Sequence, residues 1–318
     1  MKFFFTTICL SAVVILLAGP AQAHDTDRIR LSAWNIANFD GDVGDVARPG
    51  IGTLRDEEDF TALSRYRRLV GADIFALQEI AEPGSLKTIF PEDKFSVYFS
   101  GRFEQDMNNG REDGIYTAIV VNRNPDIKFI KQEDLDEIGI VTRDSDGNVH
   151  STRWGTAILL EIHGKPVWVV SVHLKSSCSS TRKANTSKKK DCKIFWQQAE
   201  PLRKWALAKT IAGESFIIAG DFNRRFRSFD YEGVFWTRIN NDNLEEPLMM
   251  NPPMGVDRFC PTRKGKSNEP IDWILVSRGL SKKVIDRSFY ETRFSQKDAR
   301  EIGSGLSDHC PIHIDMNF

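Results

Sequence analysis

One stretch limits what this chain can fold into more than any other: Phe216-Ile217-Ile218-Ala219-Gly220-Asp221-Phe222-Asn223. Its apolar, β-branched half reads as a buried strand. The run stops at Gly-Asp-x-Asn, where an acid and an amide two positions apart project the same way from extended backbone. Such a strand delivers polar chemistry at its tip. Four other runs end in the same manner: Leu31 to Asn35, Asp73 to Glu79, Val167 to His173, and the last segment at Ser307-Asp308-His309. One acid at a strand end is ordinary turn chemistry. Five such ends call for a shared site.

The remaining pattern supplies the framework. Phe60, Leu63, Tyr66, Leu69 and Val70 recur at helical spacing between Asp56 and Gly71, and the glycine is placed as a stop. A short helix is expected over Glu82 to Phe90, and a longer one over Gln197 to Ala212, in which Pro201 must occupy the first turn or break it. Strands are expected at Phe95 to Ser100, Ile115 to Asn122, Arg153 to His163, Ile271 to Val276 and Pro311 to Met316, while Gly101 to Gly114 reads as loop. Asp144-Ser145-Asp146-Gly147-Asn148 resembles the start of a calcium loop but has no glutamate at its far end, so it reads as a hairpin tip. Helices alternate with strands, and no repeat or linker divides the chain. We read one α/β domain over residues 24–318.

The first residues belong to targeting. Lys2, the apolar run Phe3 to Leu17 and the small-x-small site Ala21-Gln22-Ala23 form a secretory signal peptide, 1–23. The run is shorter than the roughly 20 residues a membrane span needs. The mature chain is expected to be exported, periplasmic or extracellular, without stable membrane insertion, and monomeric. Losing Lys2 takes the net charge from -1 to about -2, so the whole molecule does not advertise a polyanion partner. Local charge does. Arg182, Lys183, Lys188, Lys189, Lys190 and Lys193 follow His173, and Arg224, Arg225 and Arg227 follow Asn223. Four cysteines survive cleavage, an even count that favours disulfides in an exported protein. Cys178 and Cys192 bracket one polar loop, and Cys260 with Cys310 follows by elimination. A zinc site is the rival reading, weakened by the absence of a Cys-x-x-Cys pair.

Six motifs in order then carry a resemblance: Trp34-Asn35, Leu77-Gln78-Glu79, Ser171-Val172-His173-Leu174-Lys175, Gly220-Asp221-Phe222-Asn223, Ile271-Asp272-Trp273-Ile274 and Ser307-Asp308-His309-Cys310-Pro311. Together they resemble the endonuclease/exonuclease/phosphatase superfamily, the DNase I-like group, and its secreted bacterial nucleases. The resemblance covers essentially the whole mature chain. It implies a four-layer α/β/β/α sandwich of two mixed sheets, with the active site where strand ends converge.

The residue types suit phosphodiester hydrolysis, which needs an activated water, neutralised phosphoryl oxygens and a stabilised leaving oxygen. Asn35 and Glu79 are expected to hold magnesium, with Asp308 as a further ligand and manganese or calcium as alternatives. His309 is expected to act as base with Asp272 as its partner, and His173 to stabilise the phosphoryl oxygens or protonate the leaving group. Asp221 and Asn223 would orient the nucleophile and touch the phosphate or metal. Arg153 matches a family arginine that contacts substrate phosphate. In the DNase I branch a glutamate supports the histidine matching His173; here Tyr116 stands in its place, so Tyr116 or another polar group would take that role, and Tyr116 is expected among the substrate-binding residues. The two basic clusters, with Arg224 and Arg225 at the mouth of the site, point to nucleic acid as substrate. Inositol-phosphate or phospholipid hydrolysis by the same fold stays open, as does a secreted polyanion-binding module without activity. For a sphingomyelinase, the apolar hairpin that would enter lipid is missing.

Overall fold

The computed structural model describes residues 27–47, 52–111, 114–178, 189–224, 235–240, 248–250, 260–261, 267–268 and 271–318. The leader 1–23, Arg182, Lys183, Lys188, Arg225 and Arg227 lie outside the described residues.

The chain opens with β1 (Arg28–Phe39), α1 (Glu57–Val70), β2 (Ile74–Ile80), β3 (Phe95–Phe99), α2 (Arg102–Asn108), β4 (Tyr116–Asn122) and β5 (Ile127–Gln132). A hairpin of β6 (Val141–Arg143) and β7 (Val149–Ser151) follows, then β8 (Thr156–Ile162), β9 (Lys165–His173), α3 (Lys190–Ile211) and β10 (Ser215–Asp221). The rest comprises α4 (Phe235–Asn240), β11 (Met249–Met250), β12 (Cys260–Pro261), β13 (Ser267–Asn268), β14 (Asp272–Ser277), α5 (Arg278–Ser281), β15 (Tyr290–Glu291), α6 (Gln296–Glu301) and β16 (Ile312–Asn317).

Two six-stranded mixed sheets carry the architecture, ordered β15-β16-β1-β2-β4-β3 and β11-β14-β10-β9-β8-β5. We call them the first and second sheets. Alternation along each strand sends one set of side chains between the sheets and the other set outward. Between them, Leu31, Ala33, Ile74 and Ile119 meet Ile158, Val169, Ile217 and Ile274 in one buried cluster. Outside the first sheet, α1 covers Phe75, Leu77 and Val120 with Phe60, Leu63 and Tyr66. Outside the second, α3 covers Val170, Val172 and Ile218 with Phe195, Ala199, Leu202 and Ala206. This is the four-layer α/β/β/α sandwich. Each large apolar side chain buried in these layers stabilises it by roughly 1.5–3 kcal/mol.

The helix α1 is punctuated as its sequence requires. Asp56 and Asp59 form a reciprocal capping box, and Gly71 ends the helix in a left-handed conformation at φ 57°. Elsewhere the structure corrects the sequence reading. The 101–114 stretch holds α2, whose Phe103 packs edge-on against Phe99 and Tyr116, so tertiary packing overrides a polar, glycine-flanked composition. Glu82 to Phe90 contains only one short 3-10 turn, Gly84–Thr88. Helix α3 begins at Lys190, seven residues earlier than its expected start at Gln197, because Cys192 and Phe195 already belong to the buried stripe that Ala199, Leu202 and Ala206 continue. Pro201 therefore sits inside the helix rather than in its first turn. The strand expected from Arg153 starts at Thr156, and edge strand β5, mostly exposed, was not legible as a strand at all. The Asp144 to Asn148 segment is a hairpin tip as expected, with Asp144 and Asn148 joined through the backbone.

Both expected disulfides form. Cys178–Cys192 ties the segment after β9 to the first turn of α3, and Cys260–Cys310 ties β12 to the approach to β16. Among the described residues, no helix is long and apolar enough to cross a membrane.

Candidate active site

At one end of the sandwich the second sheet builds a straight row. Strands β9 and β10 run parallel and β14 antiparallel, and the register pairs Asp221 with His173 on one side and with Asp272 on the other. Three polar side chains thus come from neighbouring strands at one level. The sequence reading treated every site motif as the end of a strand. That holds for β1, β2, β9 and β10, but Asp272 opens β14 and His309 precedes β16. Because these strands run antiparallel to their neighbours, their beginnings lie at the same edge.

The first sheet reaches the site through irregular backbone. Strand β1 loses register between Asn35 and Phe39, and β2 loses it between Gln78 and Ile80. Ala37, Asn38 and Glu79 take positive φ values of 53°, 48° and 63°. Bulges of this kind re-aim a side chain at the cost of local strain. Here they turn Glu79 toward Asn35: Asn35 Nδ2 donates to Glu79 Oε1 and to Asp221 Oδ2, each at 3.1 Å, so the two sheets meet at one amide. The Asn38 backbone N–H holds Glu79 Oε2 at 2.9 Å, and the Ala37 N–H donates to Asn35 Oδ1 at 2.9 Å.

Arg55 keeps this irregular backbone in place, a role the sequence reading missed. Its buried guanidinium donates to the carbonyls of Ile36, Ala37 and Asn38 on one side and of Gly305 and Leu306 on the other. Burial lowers its pKa to about 10, which still leaves it charged at neutral pH. It thereby clamps the β1 bulge to the loop that leads into Ser307-Asp308-His309, and Ser307 Oγ adds a 2.6 Å bond to the Asn35 carbonyl. An arginine one residue before a helix cap gives no sequence signal of this function. Directly beneath the site, Gln78 Nε2 donates to Ser171 Oγ and Ser171 Oγ to the Leu77 carbonyl, a polar seam between the sheets. Gly220, at φ 142°, closes the seam: a Cβ there would lie 2.1 Å from the Val172 carbonyl oxygen and 2.8 Å from Gln78 Nε2.

His309 Nδ1 faces both carboxylate oxygens of Asp272, at 3.0 and 2.8 Å. Its Nε2 lies 3.9 Å from Asp221 Oδ2 and 3.9 Å from Asp308 Oδ1. Burial alone would lower its pKa, but Asp272, Asp221 and Asp308 outweigh that and hold it well above the usual histidine value. The Asp221 pKa is raised too, but by burial itself, which lifts its carboxyl far above the normal range, with Asp272 adding to the rise and His309 opposing it. His173 Nε2 lies 3.5 Å from Asp221 Oδ2 and 3.7 Å from Glu79 Oε1. Burial, then the positive charges of Arg153, His309 and Lys175, keep its pKa well below the ordinary value, so His173 is neutral at pH 7.

Tyr116 does not support His173. Its hydroxyl donates to Asp106 Oδ2 at 3.2 Å, and among the described residues His173 Nδ1 is buried without a hydrogen-bond partner. Asn223, in left-handed backbone at φ 50°, is tied to its surroundings: its N–H bonds Asp221 Oδ1 at 2.7 Å and its Nδ2 bonds the Leu174 carbonyl at 3.0 Å. Arg224 is buried behind the site, its guanidinium over the rings of Phe195 and Trp196 and donating to the Cys178 carbonyl. That position takes it out of the expected substrate-contact set. Arg225 lies outside the described residues. Arg153 does line the cavity beside the site, with Tyr116 and Lys175.

The expected metal set is only partly assembled. Carboxylate oxygens of Glu79 and Asp221 converge on Asn35 Nδ2, while Asn35 Oδ1 accepts from the Ala37 N–H, so the oxygen donors facing this point that suit a hard divalent ion are the two carboxylates. The Asp308 side chain is 68 % exposed and stands at the rim near His309. The tightest cluster of ligand-type atoms among the described residues is instead Asp221, Asp272 and His309. With His309 Nδ1 committed to Asp272, that trio is better suited to moving a proton.

Two mixed sheets packed face to face thus bring a His-Asp pair, with carboxylates converging beside it, to one end of an α/β/β/α sandwich of DNase I-like fold. The chain belongs to the Endonuclease/Exonuclease/phosphatase family, whose model matches residues 32–309. Structures of the same fold include an endonuclease/exonuclease/phosphatase protein from Bacteroides vulgatus, 18% identical, covering 92% of this chain and 99% of that one at a TM-score of 0.57. TDP2 from Caenorhabditis elegans is also 18% identical, covering 92% and 75% at 0.55. A mannosyl-6-phosphatase from Bacteroides thetaiotaomicron is 14% identical, covering 91% and 100% at 0.56. A search of curated proteins finds no match.

Proposed function

We propose that the protein is an exported, divalent-metal-dependent phosphodiesterase that hydrolyses nucleic acid, DNA foremost. The observation that carries this reading is the His309–Asp272 pair, aimed at Asp221 from the segment before β16, beside the Glu79–Asn35–Asp221 convergence. Asp272 fixes the ring of His309 through Nδ1 and leaves Nε2 to take the proton of an attacking water. Asp221 accepts from the same side and orients that water. The new P–O bond forms as the ester P–O bond breaks, and the leaving oxygen, on the side opposite the attacking water, departs with a proton drawn from solvent. Neutral His173 donates a hydrogen bond from Nε2 to a phosphoryl oxygen, a weaker aid than a charged donor but one that needs no proton at pH 7.

Magnesium, held by the Glu79 carboxylate and by the amide oxygen, not the nitrogen, of Asn35, would supply positive charge against the phosphoryl oxygens. Arg153 and Lys175 beside His173 favour an anionic substrate. The same features would serve an inositol-phosphate phosphatase, and the mannosyl-6-phosphatase of the same fold keeps that alternative open. The test is a panel of plasmid DNA, single-stranded DNA, RNA, inositol phosphates and phospholipids, each with and without magnesium. Cleavage of nucleic acid that requires the metal supports the proposal. Hydrolysis confined to the small phosphoesters, or none at all, rejects it.

A further inference from the structure

Beneath the site, the inward side chains of both sheets change character within one pleat. Deeper in the sandwich they are apolar: Ala33, Ala76 and Ile119 of β1, β2 and β4 meet Ile158, Val169 and Ile217 of β8, β9 and β10. Two residues nearer the site, the same faces carry Asn35, Gln78 and Thr117 on the first sheet and Thr156 and Ser171 on the second, all buried. Pairing keeps them level. Asn35 lies beside Gln78, Gln78 beside Thr117, and Thr156 beside Ser171.

Each of the three first-sheet residues reaches across to the other sheet. Thr117 and Thr156 are joined twice over: the Thr156 N–H donates to Thr117 Oγ1 at 3.1 Å, and Thr156 Oγ1 donates to the Thr117 carbonyl at 2.9 Å. Gln78 Nε2 donates to Ser171 Oγ at 2.9 Å, and that hydroxyl donates to the Leu77 carbonyl at 2.8 Å. Asn35 Nδ2 completes the series on Asp221 Oδ2 at 3.1 Å. We propose that Gln78, Thr117, Thr156 and Ser171 are positioning residues, whose cross-sheet hydrogen bonds fix the lateral alignment of the two sheets and through it the meeting of Asn35 and Glu79 with Asp221 and His173. The inference rests on the phosphodiesterase reading above and deepens it.

The site is divided between the sheets: Asn35 and Glu79 belong to the first, His173 and Asp221 to the second. Its distances therefore depend on how one sheet lies over the other. Apolar burial is non-directional and tolerates a slide of one sheet past its partner. Hydrogen bonds weaken steeply outside a narrow range of distance and angle, so three links along one line resist that slide. Burying polar side chains where apolar ones would pack adds no driving force to folding, but it supplies the direction that apolar contacts lack. The margin is small. His173 Nε2 stands 3.7 Å from Glu79 Oε1 across the divide, and a misplacement of about 1 Å at reacting groups lowers a rate by up to about 100-fold.

The test uses the mature full-length chain, with bis(4-nitrophenyl) phosphate and plasmid DNA in magnesium as probes. Thr117→Val/Thr156→Val and Ser171→Ala remove links of the series, and Thr117→Ser/Thr156→Ser keeps both hydroxyls. Positioning predicts that kcat falls by roughly 10- to 100-fold in the first two while KM holds, and that the serine pair restores most of the rate. Rates are read under conditions where circular dichroism and urea midpoints show each protein fully folded. If the valine pair does not fold, Ser171→Ala, a loss of one oxygen, decides alone. A purely structural role lowers the urea midpoint and leaves kcat of the folded protein at the parent's value; that result overturns the proposal. Should the parent cleave neither probe, the phosphodiesterase reading fails, and solvent exchange of the Asn35 side-chain amide protons, followed by NMR, still decides the alignment. Those protons are bonded to Glu79 and Asp221. They must exchange at least about 10-fold faster in the variants that remove links, while the backbone amides of Val169 and Ile217 keep the parent's rate. Unchanged Asn35 exchange overturns the positioning role.

Discussion

The two sheets furnish the site in different ways. The second sheet supplies His173, Asp221 and Asp272 as a level row across regular, fully registered strands. In the first sheet, Asn35 and Glu79 arrive by way of bulges, with positive φ at Ala37, Asn38 and Glu79 and a buried arginine clamping the distorted backbone. In one sheet, the position of a side chain follows from pairing alone. In the other, it depends on an irregularity that distant groups maintain. Substitutions on the regular side should therefore change chemistry with little loss of stability, whereas those supporting the irregular side should cost both.

The largest effect is expected where the two sides touch. Gly220→Ala drives a methyl into the Val172 carbonyl and Gln78, and should destabilise the fold by about 4 kcal/mol, read as a shift in urea midpoint. Next comes Arg55→Met, which leaves buried carbonyls of both site loops without their donor; a loss of about 3 kcal/mol in stability is expected, together with lost activity. If Arg55→Met keeps full stability, the clamp is not what holds the β1 bulge.

Asp272→Asn is the counterpart on the regular side. It should lower kcat by about 100-fold and move the urea midpoint little. It should also shift the pH–rate profile. The Asp272 charge raises the His309 pKa, and a base works only when neutral, so wild-type activity climbs with pH through that raised pKa. Removing the charge lowers the pKa and moves the rising limb toward acid pH. A limb that stays in place argues that another group titrates.

The smallest effect lies in β16 of the first sheet, away from the row. Burial holds His313 neutral, with its pKa lowered to about 4 from an unfolded value near 6.5. The unfolded chain therefore takes up a proton first as pH falls. Stability present above about pH 6.5 is lost progressively toward pH 4, amounting to about 2 kcal/mol at pH 5. In His313→Asn, thermal midpoints at pH 7.5 and pH 5 should lie closer together than in the parent protein.

The same contrast explains what was legible in the sequence. Regular strands announce themselves by apolar runs, and a motif at the end of such a run lands where the register puts it, so His173, Asp221, Asp272 and His309 could all be assigned to one site. Disulfide partners could be paired too, since an even set of four cysteines leaves few choices. Bulges leave no comparable trace. Nothing about Glu79 in sequence says that its φ is positive, and nothing about Arg55 says that it spans five carbonyls. Arg224 was misplaced because a cluster of arginines looks like a substrate channel, while burial between Phe195 and Trp196 is set by tertiary packing. Tyr116 occupies the strand from which it or another polar group would support His173, yet its hydroxyl is turned to Asp106.

The central claim is that the Asp272-held His309 drives phosphodiester hydrolysis. The most direct measurement is single-turnover cleavage of a labelled DNA duplex, in magnesium, by the mature protein and by His309→Ala under identical conditions. We predict rapid cleavage by the parent and a rate at least about 100-fold lower in the variant, with unchanged DNA binding. Equal rates for the two proteins would contradict the account.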